Sequence, residues 1–313
     1  MTLDFLYCFD KNFNLQALTA MNSLLDNVSE DINLHIIHKD VHSFKKLQYK
    51  LTEKNRLKNI NFYKYNSDVK LPKIDAHFSE TTYYRIFIEE YLPENVDFII
   101  YLDADILCLN DPIFEINKSI KKMKKEETIL AAATEGSRDN NPELFKKMEL
   151  NSDNYFNAGV LIIDFEKWKL SKTQEKLTQI LKIRFDKIFH FDQELLNINF
   201  DNNYTELSKY LNYGWTKMEN NLEMVNQIEK DVYFLHYSGK GKPWSVENII
   251  YVNAILYQKE FKKLNLQNYH IVFKKSFTVF RKYFKIIFGL KFLKLEYPLS
   301  FLRISITALF KKS

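Results

Sequence analysis

The first 64 residues hold three short apolar runs, Phe5–Phe9, Ile32–Ile37 and Ile60–Tyr63, separated by two stretches of helical periodicity. Runs this short, β-branched and aromatic-rich read as strands. The stretch from Phe13 through Leu18, Met21 and Leu25, with Asp10 or Asn12 as its cap, reads as a helix, as does Ser43 to Arg56. A β-α-β-α-β order belongs to one half of a doubly wound sheet, so the chain is expected to be α/β. No Gly-x-Gly-x-x-Gly and no phosphate-cradling glycine loop of the P-loop kind occurs, which argues against dinucleotide and P-loop readings.

A fourth run, Phe98–Leu102, ends in Asp103-Ala104-Asp105. In extended backbone, residues at i and i+2 leave one face, so both carboxylates are expected to point the same way. Ligands of open α/β sheets bind beyond the carboxyl ends of the strands. Two carboxylates there suit a hard divalent cation that also holds a diphosphate. An Asp-x-Asp arises by chance in a chain of this length, so the triplet takes its meaning from its company.

That company follows from the remaining elements. Ser79 to Tyr91 reads as a helix capped by Ser79 or Thr81; it carries Arg85, suited either to a surface ion pair or to the site. Ile129 to Ala133 reads as a strand ending in Thr134-Glu135. Tyr155 to Asp164 is a further apolar run whose entry, Asn157-Ala158-Gly159, is small enough for backbone to approach a ligand closely. Ser171 to Lys187 is a basic helix, followed by Phe191-Asp192-Gln193. Val232 to Trp244 is a strand running into a loop with two glycines and two lysines. His236 can ligate a metal, backbone freed by Gly239 and Gly241 can meet phosphate oxygens, and Lys240 or Lys242 can neutralise them.

Composition narrows the partners. Of 313 residues, 46% are hydrophobic and 27% charged, as in a folded soluble protein. The two cysteines, Cys8 and Cys108, lie in apolar runs with no metal or disulfide spacing, which fits a reducing compartment. No signal peptide and no apolar stretch long enough to span a bilayer is read, so a cytoplasmic location is expected. Residues 271–313 hold ten Lys/Arg against one acid, Glu296, so the rest is mildly acidic and nucleic acid is not an expected partner. Within this tail Phe273, Phe277, Phe280, Phe284, Ile287 and Phe288 fall on one helical stripe, with Lys and Arg elsewhere around the helix. A second apolar piece runs from Leu299 to Phe310. A basic amphipathic helix of this kind suits an anionic membrane surface; a helix packed on the body, or a dimer contact, is the alternative.

Taken together, Asp103-Ala-Asp105, Phe156-Asn-Ala-Gly-Val-Leu161, Asp192-Gln193 and His236-Tyr-Ser-Gly-Lys-Gly-Lys-Pro-Trp244 resemble glycosyltransferase family 8. The resemblance runs from about Asp4 to Trp244. The bacterial members of this family include lipopolysaccharide galactosyl- and glucosyltransferases, and its eukaryotic members include glycogenin. It implies a GT-A fold, a Rossmann-like mixed sheet with flanking helices, and retaining transfer of a hexose from a UDP-sugar with Mn²⁺ (or Mg²⁺). By the same resemblance Asp103, Asp105 and His236 would be metal ligands, with Ala104 between the aspartates in the donor-binding set. Cys8, Asp10 and Asn12 would lie along the uridine. Arg85 would reach the donor, Asn157 and Ala158 would touch its sugar, and Asp192 would accept from its hydroxyls. Gly239 and Lys242 would hold the diphosphate. Glu135 stands where bacterial relatives commonly carry Asp, which bears on the donor hexose.

The expected chemistry is same-face attack, with Gln193 stabilising the oxocarbenium-like centre and Asp192 as the chemically better but less suitably employed nucleophile. Residues 1–265 are expected to form the catalytic domain and 266–313 a membrane-association segment at the inner face of the cell membrane. The expected acceptor is a saccharide, with a lipid-linked oligosaccharide of the lipo-oligosaccharide kind preferred. A protein-linked glycan acceptor, and a non-catalytic sugar-nucleotide or membrane-binding protein of the same fold, are the alternatives. A phosphohydrolase with Asp103 as nucleophile is disfavoured, because Ile106-Leu-Cys-Leu109 stands where a Thr or Ser is wanted.

Overall fold

The computed structural model describes residues 2–66, 80–184, 191–215 and 221–310. The expected cap Ser79 and the expected helix end Lys187 lie outside the described residues. The strands are β1 (Leu3–Phe9), β2 (Ile32–His38), β3 (Leu57–Lys64), β4 (Phe98–Leu102), β5 (Ile106–Cys108), β6 (Leu130–Ser137), β7 (Asn154–Asp164), β8 (Thr205–Glu206), β9 (Tyr213–Gly214) and β10 (Phe234–His236). Seven of them form one mixed sheet in the order β3-β2-β1-β4-β7-β6-β8, and β5-β10-β9 form a second, smaller sheet. β1 is parallel to β2 and β4, while β7 is antiparallel to both β4 and β6. This is the α/β architecture with a mixed sheet that the element order predicts.

β4 is buried along its whole length because it lies between β1 and β7 and is covered on both faces. Phe98, Ile100 and Leu102 pack with the helix Asn14–Asn27, whose inward residues include Leu18, Met21 and Leu25. Ile99 and Tyr101 point the other way, into a cluster with Tyr83, Ile86, Leu177 and Leu195. Alternation along one strand thus feeds two cores, which is why the run carries no polar residue before Asp103.

Three local expectations change. Ser43 to Arg56 is two short helices, Val41–Lys45 and Tyr49–Thr52, because Phe44 and Leu51 are their only fully buried anchors. The segment predicted as a helix from Ser79 to Tyr91 is a 3₁₀ segment, Glu80–Glu90, with a break at Phe87. Tyr83 to Ile88 are all buried, so packing on every side outweighs the preference for the wider α-helical turn. Asp10 does cap, but it caps the single 3₁₀ turn Lys11–Phe13 that leads into Asn14–Asn27, accepting from Asn12 N–H at 2.8 Å.

The tail is partly packed and partly bare. The helix Phe277–Phe288 buries Val279, Tyr283 and Ile286 against Phe301 and Ile304 of the helix Pro298–Phe310, and Tyr283 and Ser305 join hydroxyls at 3.0 Å. Val246 and Ile249 belong to the same cluster, so the tail shares its core with the rest of the chain. The stripe read from sequence is packed only in part, with Phe280 and Ile287 half-buried against this cluster. Of its members Phe273 is buried, whereas Phe277 and Phe288 are 83% and 79% exposed. Val279, Tyr283 and Ile286 form a second stripe at i, i+4 and i+7, and that one docks. No helix among the described residues is long and apolar enough to cross a membrane.

Candidate active site

Asp103 and Asp105 stand just past β4, His236 ends β10, Asn157 and Ala158 lie in β7, and Asp192 and Gln193 open the helix Phe191–Asn199. The aspartates do not converge by strand alternation. Ile106 N–H donates to the Asp103 carbonyl at 3.2 Å, which closes a turn between β4 and β5. β5 then pairs antiparallel with β10, setting Ile106 opposite His236, and this brings the imidazole to the carboxylates. His236 Nε2 lies 3.4 Å from Asp105 Oδ1 and 3.8 Å from Asp103 Oδ2.

β7 reaches the site by leaving its neighbour. Ala132 faces Leu161 but Ala133 faces Asn157, so Ala158, Gly159 and Val160 bulge away from β6. In the bulge the Gly159 carbonyl accepts from Asp103 N–H at 2.8 Å. A Cβ at Gly159 would lie 2.3 Å from His236 Cε1. The small-residue entry that suggested close approach of a ligand is thus required by the imidazole.

Arg85 is buried, contrary to a surface ion pair. Its Nη2 donates to Asp103 Oδ1 at 2.7 Å, Nη1 donates to the Ala158 carbonyl, Nε lies 2.9 Å from Asp192 Oδ2, and the guanidinium sits 3.9 Å from the centre of the Tyr101 ring. Burial works against its charge, but Asp103 and Asp192 outweigh that and keep it protonated. Tyr101, which the motif reading missed, also donates its hydroxyl to Asp103 Oδ1 at 2.6 Å. Its place two residues before Asp103, on the same face, is the sequence signal that could have found it.

Gln193 is held at both ends of its amide. Ala158 N–H donates to Oε1 at 3.0 Å, and Nε2 donates to Glu135 at 3.1 Å. Glu135 is the extra residue of a bulge in β6, between Thr134 and Gly136. Asn197, one helical turn on, clamps both backbone polar groups of Phe156 at 2.9 and 3.0 Å and so fixes this helix against β7.

Past β10, Gly239 and Gly241 adopt φ of 66° and 96°, a region open to glycine at little cost. The loop turns Lys242 back, so that its Nζ donates to Asp105 Oδ2 and, at 2.6 Å, to the Tyr237 carbonyl. Lys240 is exposed, so between the two lysines Lys242 is the one at the site. Burial pulls the Asp105 carboxyl upward, but the Lys242 ammonium beside it draws it down, below the usual carboxylate range. Asp10 and Asn12, beyond β1, line a cleft of about 370 Å³ with Lys11, Lys39, Asp40 and Glu80. Cys8 is buried, and that burial pushes its thiol far up.

The donor set fits a divalent cation. One oxygen of each carboxylate and one imidazole nitrogen fall within 4.8 Å of one another. Two hard oxygens and a nitrogen are ligands that Mn²⁺ and Mg²⁺ accept.

Residues 4–248 match the family described as Glycosyl transferase family 8. The lipopolysaccharide 1,3-galactosyltransferase of Salmonella typhimurium is 27% identical over 252 residues, 76% of this chain and 72% of that protein. The lipopolysaccharide 1,2-glucosyltransferase of Escherichia coli K12 is 28% identical over 265 residues, 77% and 72% of the two chains. The structure of galactosyltransferase LgtC with donor and acceptor sugar analogues matches with a TM-score of 0.67 at 19% identity, covering 90% of this chain and 100% of that one. At that identity the likeness shows the fold alone.

Asp192 gives the site a pH dependence. Burial pushes its carboxyl up to about 6, with Arg85 opposing and Asp103 adding to the rise. Below that pH it is protonated and no longer offers Arg85, or a ligand, a negative charge. The kcat/KM of the wild type should fall as pH drops through about 6, whereas Asp192→Asn should be slow at every pH and lack that limb. Persistence of the limb in the variant would assign it to another group.

Proposed function

The chain belongs to glycosyl transferase family 8, and on that premise we propose that it moves a hexose, galactose or glucose, from a UDP-sugar to a saccharide acceptor with retention at the anomeric carbon. The observation that carries this reading is the cluster of Asp103, Asp105 and His236 with Lys242 on its rim. A divalent cation, Mn²⁺ or Mg²⁺, bound there would act as a Lewis acid for the diphosphate as charge develops on it. Asp103, Asp105 and His236 would hold it, and Lys242, presented by Gly239 and Gly241, would take a phosphate oxygen. The cleft at Asp10 and Asn12 suits the uridine, since it lies at the end of the strand that neighbours β4.

In the proposed step the bond between the anomeric carbon and the β-phosphate oxygen breaks while a bond forms from the acceptor hydroxyl oxygen to the same face of that carbon. The acceptor's proton passes to the departing phosphate oxygen, so no side chain need act as base. Gln193 favours this route over a covalent one. An amide is a weak nucleophile, and here its oxygen already accepts from Ala158 N–H and its nitrogen is tied to Glu135. Its dipole stabilises positive charge at the sugar. Asn157, Ala158 and Asp192 would hold the sugar hydroxyls. Glu135, acting through Gln193, is where the choice of hexose would be felt.

The acceptor is proposed to be lipid-linked, because the names of the two bacterial relatives refer to lipopolysaccharide and because of the tail. Phe277, Phe284 and Phe288 form an outward ladder, with half-buried Phe280 behind it and Arg281 and Lys285 beside it. Bare aromatics flanked by cations suit the headgroup region of an anionic bilayer, which would station residues 266–313 at the inner face of the cell membrane.

Asp103→Asn should lower UDP release from a UDP-hexose by at least ~100-fold, as loss of charge stabilisation at a leaving group does; a wild-type rate with Mn²⁺ present would refute the cation assignment. Phe277→Ser with Phe288→Ser, which spares the packed face, should weaken binding to vesicles containing anionic phospholipid by on the order of tenfold per residue. Unchanged sedimentation with the vesicles would refute the membrane role. These point variants suit the test better than truncation, since the tail shares a core with Val246 and Ile249.

A further inference from the structure

A line of amide groups runs from the β7 bulge to the back of the imidazole. Gly159 N–H donates to Asn157 Oδ1 at 2.8 Å. Asn212 Nδ2 reaches the same oxygen at 2.9 Å. On the other side of the Asn212 amide, Oδ1 lies 2.9 Å from His236 Nδ1. The direction of every bond in the line follows from its first member. A backbone N–H can only donate, so the Asn157 atom facing it is the oxygen. Asn212 must then turn its NH₂ to that oxygen, because its own oxygen there would set two acceptors together. Its oxygen is left facing His236 Nδ1, which must carry the proton.

We infer that Asn157 and Asn212 are positioning residues that fix His236 in the Nδ1–H form and so present the bare Nε2 to the space between Asp103 and Asp105. The inference rests on the proposed cation site and adds the device that readies one of its three ligands. In this tautomer a lone pair faces the two carboxylates, at 3.4 and 3.8 Å, and the arrangement is repulsive until a cation lies between them. The fold supports the line at each joint. β9 is parallel to β10 with Gly214 opposite His236, and Trp215 N–H donates to the His236 carbonyl at 2.9 Å, which holds Asn212 beside the ring. Asn157, paired with Ala133 at the edge of the β7 bulge, meets the Asn212 amide with its side chain. Asn212, just before β9, joins the small sheet to the large one. Because both hydrogen bonds to Asn157 Oδ1 are inward, contact of Asn157 with a donor sugar is left to its Nδ2.

Groups that orient metal-bound histidines typically change metal affinity by ~10–100-fold when removed. The test compares the wild type with Asn212→Leu, which keeps volume and loses the acceptor, and with Asn212→Asp, which keeps an acceptor for Nδ1–H. Two quantities are read on the full chain. One is the ¹⁵N spectrum of the His236 ring in metal-free protein at a pH well above the ordinary histidine range, assigned by comparison with His236→Gln. The other is affinity for Mn²⁺ alone, followed by the spin resonance of the free ion. The inference expects Nδ1–H in the wild type and in Asn212→Asp, loss of that preference in Asn212→Leu, and Mn²⁺ binding ~10–100-fold weaker in the leucine variant. A role in packing alone would reverse the order, with leucine tolerated and aspartate not. An Asn212→Leu protein with the wild-type tautomer and the wild-type Mn²⁺ affinity overturns the inference. A wild type that binds no Mn²⁺ removes the cation reading instead, and the ring spectrum still decides whether the amide line sets the tautomer.

Discussion

The site depends on the clamp around Arg85. This one buried guanidinium touches Asp103 after β4, the Ala158 carbonyl in the β7 bulge and Asp192 at the head of a helix, and it lies over the Tyr101 ring. These segments are distant in sequence, and two carboxylates buried together would repel each other without a cation between them. Removing one partner would leave an uncompensated charge in a region of low polarity, so the clamp specifies geometry more than it adds stability. Its fork shape matters, since a lysine could not reach the carboxylates and the carbonyl at once. Around it the backbone makes its own ties, Asp103 N–H to the Gly159 carbonyl and Ala158 N–H to Gln193.

The electrostatics divide the site into two sides. On one, Arg85 is committed to Asp103 and Asp192 and leaves little positive charge for a ligand. On the other, Lys242 rests on Asp105 at the end of a glycine-bearing loop, on a side chain long enough to exchange a carboxylate for a phosphate oxygen. The fixed pair sets the shape, and the movable one suits a charged substrate that arrives and leaves. His236 stands between them, with its back to the amide line.

Much of this was legible in the sequence. β1, β2 and β4 can be read from apolar runs bounded by polar residues, and the Asp103, Asp105 and His236 set from residue types at strand ends. What could not be read is whatever depends on partners far along the chain. Arg85 has the same local pattern whether it meets solvent or Asp103. Gly159 signals a close approach but not that His236 is the group approaching, and the partner of Asn212 is fixed only when β9 pairs with β10. The tail misled for another reason. It carries two apolar stripes, and of the more conspicuous one Phe277, Phe284 and Phe288 stay outside while Val279, Tyr283 and Ile286 of the other pack. The strand-alternation argument for the aspartates reached the right neighbourhood by the wrong geometry, since a turn and not an extended strand aims them.

The account's central claim is that Asp103, Asp105, His236 and Lys242 together hold a metal-bound diphosphate. Calorimetric titration of UDP into the wild-type protein, once with Mn²⁺ and once with a chelator, tests it most directly. Tight binding with Mn²⁺ that disappears with the chelator is the predicted result. Equal affinity in both titrations would contradict it.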